Sequence, residues 1–241
     1  MNLRARVSAW WRDESARLDF RWRSFWVVLA ATFVILLPEY HRGEWFNEAL
    51  AAAVGASFAD SLRDAGITFR FALRMIVPLL AILALRERFR DYGLGLGQVR
   101  TGAKWCALFY VLYVPCFLVL MSNAEFREHY SGVLRRYDTW GEFLGREVLF
   151  VTTTMIAGEF LYRGFLLFGV KKDFGAFPAM LVSLVPYVYG HHEKPAIEAF
   201  GSFPVGLALA YLAVKTDSIW YGVLLHASIA IGFNAAIFAL G

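Results

Sequence analysis

Charge and cysteine are both scarce in this chain. Only 18% of its 241 residues are Asp, Glu, Lys or Arg, against 59% hydrophobic ones, which is too little polar surface to coat a water-soluble fold. The two cysteines, Cys106 and Cys116, fall in one apolar run; this excludes a disulfide framework and a four-ligand zinc site and leaves them as packing residues. The helix-type zinc-protease signature His-Glu-x-x-His and the Gly-x-Ser-x-Gly nucleophile elbow are missing. Gly93-Leu94-Gly95-Leu96-Gly97 follows no strand and lacks the last glycine of a dinucleotide fingerprint, so it reads as a loop. No repeat or low-complexity linker divides the chain.

What is abundant is apolar sequence in long runs, near 24–38, 70–86, 103–121, 147–170, 174–191, 197–214 and 218–240. A spanning helix needs roughly 20 mostly apolar residues. The reading is therefore an all-α polytopic membrane bundle of about seven spans, with six to eight allowed because the first run is short, the second contains Arg74 and the sixth holds several glycines. Residues 1–23 form a basic N-terminal segment and 24–241 one transmembrane domain. The first two dozen residues are charged throughout, so the first span is expected to serve as its own insertion signal.

The net charge of +4 would suit nucleic acid, but the basic residues sit in short segments between apolar runs. Arg4, Arg6, Arg12, Arg17, Arg21 and Arg23 precede the first span; Arg86, Arg88, Arg90, Arg100 and Lys104 follow the second; Lys171, Lys172 and Lys215 continue the alternation. The expected partner of these charges is the lipid bilayer and not nucleic acid, with the N-terminus cytoplasmic and the C-terminus outside, in a bacterial inner (plasma) membrane. Trp10, Trp11 and Trp22 are expected at the interface.

An ionisable group inside a span costs roughly 2.5–3.5 kcal/mol on insertion scales and is a site hypothesis by default. Glu159 and Arg163 lie four apart and share a helix face. A neutralised pair that fastens helices together is the plain alternative. His191 and His192 end the fifth run, and His226 lies in the seventh. Adjacent helical residues point about 100° apart, so only one of His191 and His192 can face a common site. One glutamate and two histidines from three helices can activate a water for peptide hydrolysis, or hold a zinc ion carrying that water, a His₂Glu set of Glu159, His191 and His226. Thr152, Thr153 and Thr154, with no base nearby, read as back-bonding helix residues.

These residues resemble the CPBP (CAAX protease and bacteriocin-processing, also called Abi) intramembrane proteases, which include the type II CAAX prenyl endopeptidases. The family's first motif, Glu-Glu-x-x-x-Arg, is matched by Gly158-Glu159-Phe160-Leu161-Tyr162-Arg163-Gly164 at the second Glu, the Arg and the following Gly. Its Phe-x-x-x-His motif is matched conservatively by Tyr187-Val188-Tyr189-Gly190-His191, which selects His191 over His192. Its third motif, a His followed four residues later by Asn or Asp, meets His226 and Ala230. The resemblance covers roughly 145–240, and Lys194-Pro195-Ala196-Ile197-Glu198 adds a Lys-Pro-x-x-Glu element. It implies an intramembrane endopeptidase acting on a membrane-associated protein or peptide. Glu159 would be the base, Arg163 its orienting partner, and His191 and His226 would activate water, stabilise the oxyanion or bind zinc.

Two departures stand out. Gly158 replaces the first Glu, the base of the family, and Ala230 replaces the Asn that helps hold the oxyanion; Asn234 shares a similar face two turns further on. The rival readings are a catalytically silent peptide-binding or immunity protein and, last, a small transporter using the same groups as a proton relay. Counting about 1.5 Å per residue puts Glu159 near mid-membrane, His226 towards the cytoplasmic side and His191 near the outer end. The three meet only if a helix boundary differs from these runs, or if 191–200 dips back at Pro195 or Gly201.

Overall fold

The computed structural model describes residues 3–240, all of whose regular structure is helical. Met1, Asn2 and Gly241, the outermost residues of the two expected segments, lie outside the described residues. Eleven helices follow in order among those described: α1 (Leu3–Arg17), α2 (Trp22–Tyr40), α3 (Glu44–Val54), α4 (Ala56–Asp64), α5 (Phe69–Ala84), α6 (Val99–Ser122), α7 (Ala124–Leu134), α8 (140–174), α9 (Ala176–Tyr189), α10 (Ala196–Thr216) and α11 (Trp220–Leu240).

Local chemistry sets the boundaries. Thr68 Oγ1 accepts the Phe71 N–H at the start of α5, and Asn123 Oδ1 accepts the Phe126 N–H at the start of α7. Before α8, Thr139 Oγ1 accepts from the Glu142 N–H while the Glu142 carboxylate reaches back to the Asp138 N–H, a reciprocal cap. Gly175, at φ +82°, separates α8 from α9.

Helix α8 is the axis of the molecule. It contains two π-helical stretches, Phe143–Glu147 and Phe160–Leu167, and every residue of the second is buried. A helix apolar all round belongs in a core. Helices α2 and α5 pack against one side of it, α9 and α10 pack on the Phe160–Leu167 stretch, and α11 packs on Val148–Glu159. The outer surface is the reverse of a soluble protein's: α6 buries only Gly102 and Cys106, while Val111, Leu112, Val114, Leu118 and Val119 face outward. This is a fold for lipid. Cys106 packs as expected, but Cys116 points to that outer surface.

All seven apolar runs are helical, and among the described residues α2, α6, α10 and α11 are each long and apolar enough to cross a membrane, with the bent pair α4–α5, turned by 79°, as a fifth candidate. The seven-span expectation exceeds this because apolar length and helix length differ. Helix α9 has 14 residues, about 21 Å at about 1.5 Å per residue, short of a roughly 30 Å hydrocarbon core. The run at 147–170 is one part of the longer, π-interrupted α8.

The basic segments gather at one end. Arg23 binds Glu87 at 2.5 Å and Asp173 at 3.0 Å, and Lys172 binds Glu87 at 2.7 Å. The glycine loop docks there on the α10–α11 turn: Leu94 and Leu96 carbonyls accept from Trp220 Nε1 and the Tyr221 hydroxyl, and the Gly93 carbonyl accepts from the Ile219 N–H. Gly97 has φ +54°, and a Cβ there would collide with the Thr216 carbonyl oxygen, so the loop is a packing device, as its lack of a fingerprint implied. Trp10 and Trp22 stand exposed at the same end.

Candidate active site

Glu159 is the last residue before the buried π stretch of α8, and Arg163 lies within that stretch. π turns inside α-helices concentrate at functional positions. Both side chains are 1% exposed and they pair, Arg163 Nη1 donating to Glu159 Oε1 at 3.1 Å. Arg163 Nη2 donates to the Gly206 carbonyl at 3.3 Å, and the guanidinium lies 4.0 Å from the Tyr187 ring centroid. One arginine therefore ties α8, α9 and α10 together.

His226, from α11, completes the group. Its Nδ1 stands 2.9 Å from Glu159 Oε1, so this oxygen accepts from both the arginine and the histidine. Glu159 Oε2 is buried and accepts no hydrogen bond among the described residues. Gly222, one turn before His226, makes this approach possible, since a Cβ there would stand 2.9 Å from Oε2.

His191 follows α9, with its Nδ1 2.8 Å from the Tyr187 carbonyl oxygen. Its ring centroid is 4.7 Å from that of Tyr187, which is in turn 5.9 Å from the His226 ring. The two imidazoles thus border one aromatic ring. His192 instead binds the Tyr189 carbonyl and is exposed. The depth conflict resolves through a helix boundary: α9 ends at Tyr189 and a turn leads through Pro195 into α10, while Gly201 lies within continuous helix. The Lys-Pro-x-x-Glu element holds that turn, with Tyr130 OH donating to Glu198 at 2.8 Å and Lys194 Nζ donating to Tyr130 at 3.0 Å.

Both imidazole Nδ1 atoms face oxygens that only accept, a carboxylate and a carbonyl. Each Nδ1 therefore carries a proton, which leaves the Nε2 of each ring to accept a proton or, once protonated, to donate one. Zinc does not suit this arrangement. Glu159 Oε1 already carries a guanidinium and an imidazole N–H, a charge environment hostile to a dication, and no three His, Cys, Asp or Glu side chains among the described residues are grouped to hold an ion.

The remaining residues take other roles. Asn234 donates to Glu147 at 2.7 Å, at the other end of α8, where Arg136 and Tyr137 also bind Glu147. Thr154 bonds back to the Phe150 and Val151 carbonyls. Sequence reasoning missed the parts played by Tyr162, Tyr187, Gly206 and Gly222, which have no charge to advertise them. Arg74 carried a signal, a cation inside an apolar run, and the structure places it beside Tyr162, Nη2 to hydroxyl 3.4 Å.

No curated protein and no solved structure matches the chain. Residues 140–232, from the start of α8 into α11, match the family model described as type II CAAX prenyl endopeptidase Rce1-like; the matched segment holds Glu159, Arg163, His191 and His226 and supports a CPBP/CAAX protease family assignment.

Proposed function

We propose that this integral membrane protein is an intramembrane endopeptidase in which His226 takes the proton of the attacking water and Glu159 holds and charges that histidine. The carrying observation is the 2.9 Å contact between His226 Nδ1 and Glu159 Oε1. Of that pair, the glutamate side chain is 1% exposed and the histidine 19%, so the imidazole is the more accessible of the two to a water held in the site. This revises the role expected from the sequence, in which Glu159 was itself the base.

The step is a hydrolysis. His226 Nε2 accepts a proton from water as the water oxygen bonds to the scissile carbonyl carbon, and Glu159 stabilises the imidazolium formed. His191 in its protonated form donates from Nε2 to the oxyanion. As the intermediate collapses, the C–N bond breaks and the His226 proton passes to the leaving nitrogen. Arg163 keeps Glu159 ionised and in place without touching substrate, and no metal takes part in the step.

The test is cleavage of membrane-tethered peptides by the purified protein in nanodiscs. Glu159→Gln and His226→Ala each lower turnover by about 10²–10⁴-fold, and a chelator leaves the wild-type rate unchanged. Wild-type rates in both variants would sink the proposal, and chelator-sensitive turnover would sink the metal-free mechanism. The silent peptide-binding alternative draws on Gly158, Ala230 and the sequestration of Asn234 on Glu147; binding without any cleavage across the peptide set would favour it. The substrate is a membrane-associated peptide or protein. The end bearing Arg23, Lys172 and the glycine loop is proposed to face the cytoplasm of a bacterial plasma membrane, by its basic charge.

A further inference from the structure

The hydrolysis proposed above gives the oxyanion one donor, His191. Tyr162, on α8, carries a proton free for a second. Its side chain is buried, 6% exposed, and its hydroxyl accepts from Arg74 Nη2 at 3.4 Å but donates to no group among the described residues. Buried hydroxyls ordinarily give their proton to an acceptor. This one is held on its acceptor side alone, by a cation whose carbon also lies 5.7 Å from the ring centroid. A guanidinium donating to the oxygen draws charge from the O–H bond and makes it a stronger donor.

The surroundings of the hydroxyl are open on the side of His191. A Cβ on Gly190 would stand 3.4 Å from the Tyr162 oxygen, so the hydroxyl meets bare backbone at the residue immediately before His191. Tyr162, Arg74 and Gly190 line a cavity of about 50 Å³. One liquid water occupies about 30 Å³, so the niche suits a carbonyl oxygen or a water and little more. The two carboxylates that also line it are turned to other partners: Glu39 pairs with Arg70 at 3.1 Å, and Glu193, 86% exposed, lies 3.8 Å from His192. The Tyr162 ring meets Tyr187 edge-on at 5.8 Å, and the His191 and His226 rings border the same Tyr187.

We infer that Tyr162 is a catalytic residue whose hydroxyl donates to the oxyanion beside His191, with Arg74 as the positioning residue that holds and polarises it. This assignment rests on the endopeptidase reading. Tyr162 keeps its proton throughout; as the scissile carbon becomes tetrahedral, its oxygen gains charge and the hydrogen bonds from Tyr162 and His191 strengthen. One donor comes from α8 and the other from the turn after α9, so the oxyanion position is fixed by two elements. Ala230 has no donor to offer and Asn234 is held on Glu147 at 2.7 Å, which leaves this task to another residue.

The experiment uses the purified protein in nanodiscs, with a cleaved membrane-tethered peptide and its phosphonate analogue, a tetrahedral anion at the scissile position. Tyr162→Phe keeps the ring and removes only the hydroxyl. Its kcat falls about 10²–10³-fold with KM unchanged, and it binds the phosphonate about tenfold or more weakly while binding the peptide as wild type does. Arg74→Gln reproduces part of this loss and Arg74→Lys restores some of it. With 3,5-difluorotyrosine at position 162, whose phenol is more acidic, the upper limb of the pH–rate profile moves to lower pH, a shift that a packing role would not produce and that carries the test if Tyr162→Phe does not fold. Wild-type kcat in Tyr162→Phe overturns the proposal, as does equal weakening of phosphonate and peptide. Loss of turnover in Arg74→Gln but not in Tyr162→Phe overturns it too, by giving the oxyanion to the guanidinium. Failure of the wild type both to cleave and to prefer the phosphonate would instead sink the endopeptidase reading, and this assignment with it.

Discussion

At the scale of single residues, the site depends on what is missing at Gly222 as much as on what is present at Glu159. The glutamate's Oε1 is held from two sides, so the carboxylate cannot swing away from an added methyl group aimed at Oε2 from 2.9 Å. Gly222→Ala should therefore cost about 1–3 kcal/mol, the usual range for overpacking a filled interior. It should also lower turnover by displacing His226 from Glu159. Thermal unfolding in detergent together with a cleavage rate checks both effects; a fully stable, fully active Gly222→Ala would show that α11 has room to retreat. Arg163 presents a different case. Its guanidinium joins a carboxylate, a carbonyl and an aromatic face, and a lysine has one point charge to offer in place of that fork. Arg163→Lys should lose most activity, because Glu159 and the Gly206 carbonyl cannot both be satisfied.

At the scale of elements, α8 carries polar groups at three levels, each tied to a different neighbour. Glu147, in the first π stretch, accepts from Arg136, Tyr137 and Asn234, which joins the start of α8 to the segment before it and to α11. Glu159 and Arg163 join it to α10 and α11, and Asp173 joins it to α2 through Arg23 and Ser24. Asn234→Ala removes one donor from a carboxylate that is 2% exposed, so it should cost about 1–3 kcal/mol. Turnover should persist, since Asn234 is bound to Glu147 and serves the bundle rather than the reaction. Measuring the unfolding midpoint and the cleavage rate on one preparation separates these effects, and loss of activity at unchanged stability would return Asn234 to the oxyanion role that its helix face allowed.

At the scale of the whole molecule, the basic end is clasped by Glu87, which lies outside the helices and accepts from Arg23, Tyr92 and Lys172. Burial pushes the Glu87 carboxyl up, but the hydrogen bonds from Lys172, Tyr92 and Arg23 outweigh it and hold the group below its ordinary value of 4.5. A carboxyl lowered on folding contributes its full stability above the unfolded value, and that contribution disappears as pH falls through the folded one. The unfolding temperature should therefore hold down to about pH 4.5 and decline below it, more steeply for wild type than for Glu87→Gln. Parallel acid profiles for the two proteins would show that the clasp does not contribute.

Much of this was legible in the chain itself. Long apolar runs with basic flanks specify helices in lipid, because an unpaired backbone has no partner there, and all seven runs are helical. Glu159, Arg163 and His226 announced themselves as ionisable groups in apolar surroundings, and the two histidines at 191 and 192 could be ranked by motif and by helical angle. Pattern did not determine where helices end inside an apolar stretch. Helix α9 stops at Tyr189 because a six-residue turn and the Lys194–Tyr130–Glu198 contacts form there, and those partners come from another part of the chain. Nor could pattern apportion roles within the site. The unequal burial of Glu159 and His226, and the approach of Arg74 to bare backbone at Gly158, follow from which helices pack together, α5 against α8 among them. Hydrophobicity and helical period are local properties carried by the chain, whereas burial and partnership depend on which helices pack together, and that was decided by the tertiary structure.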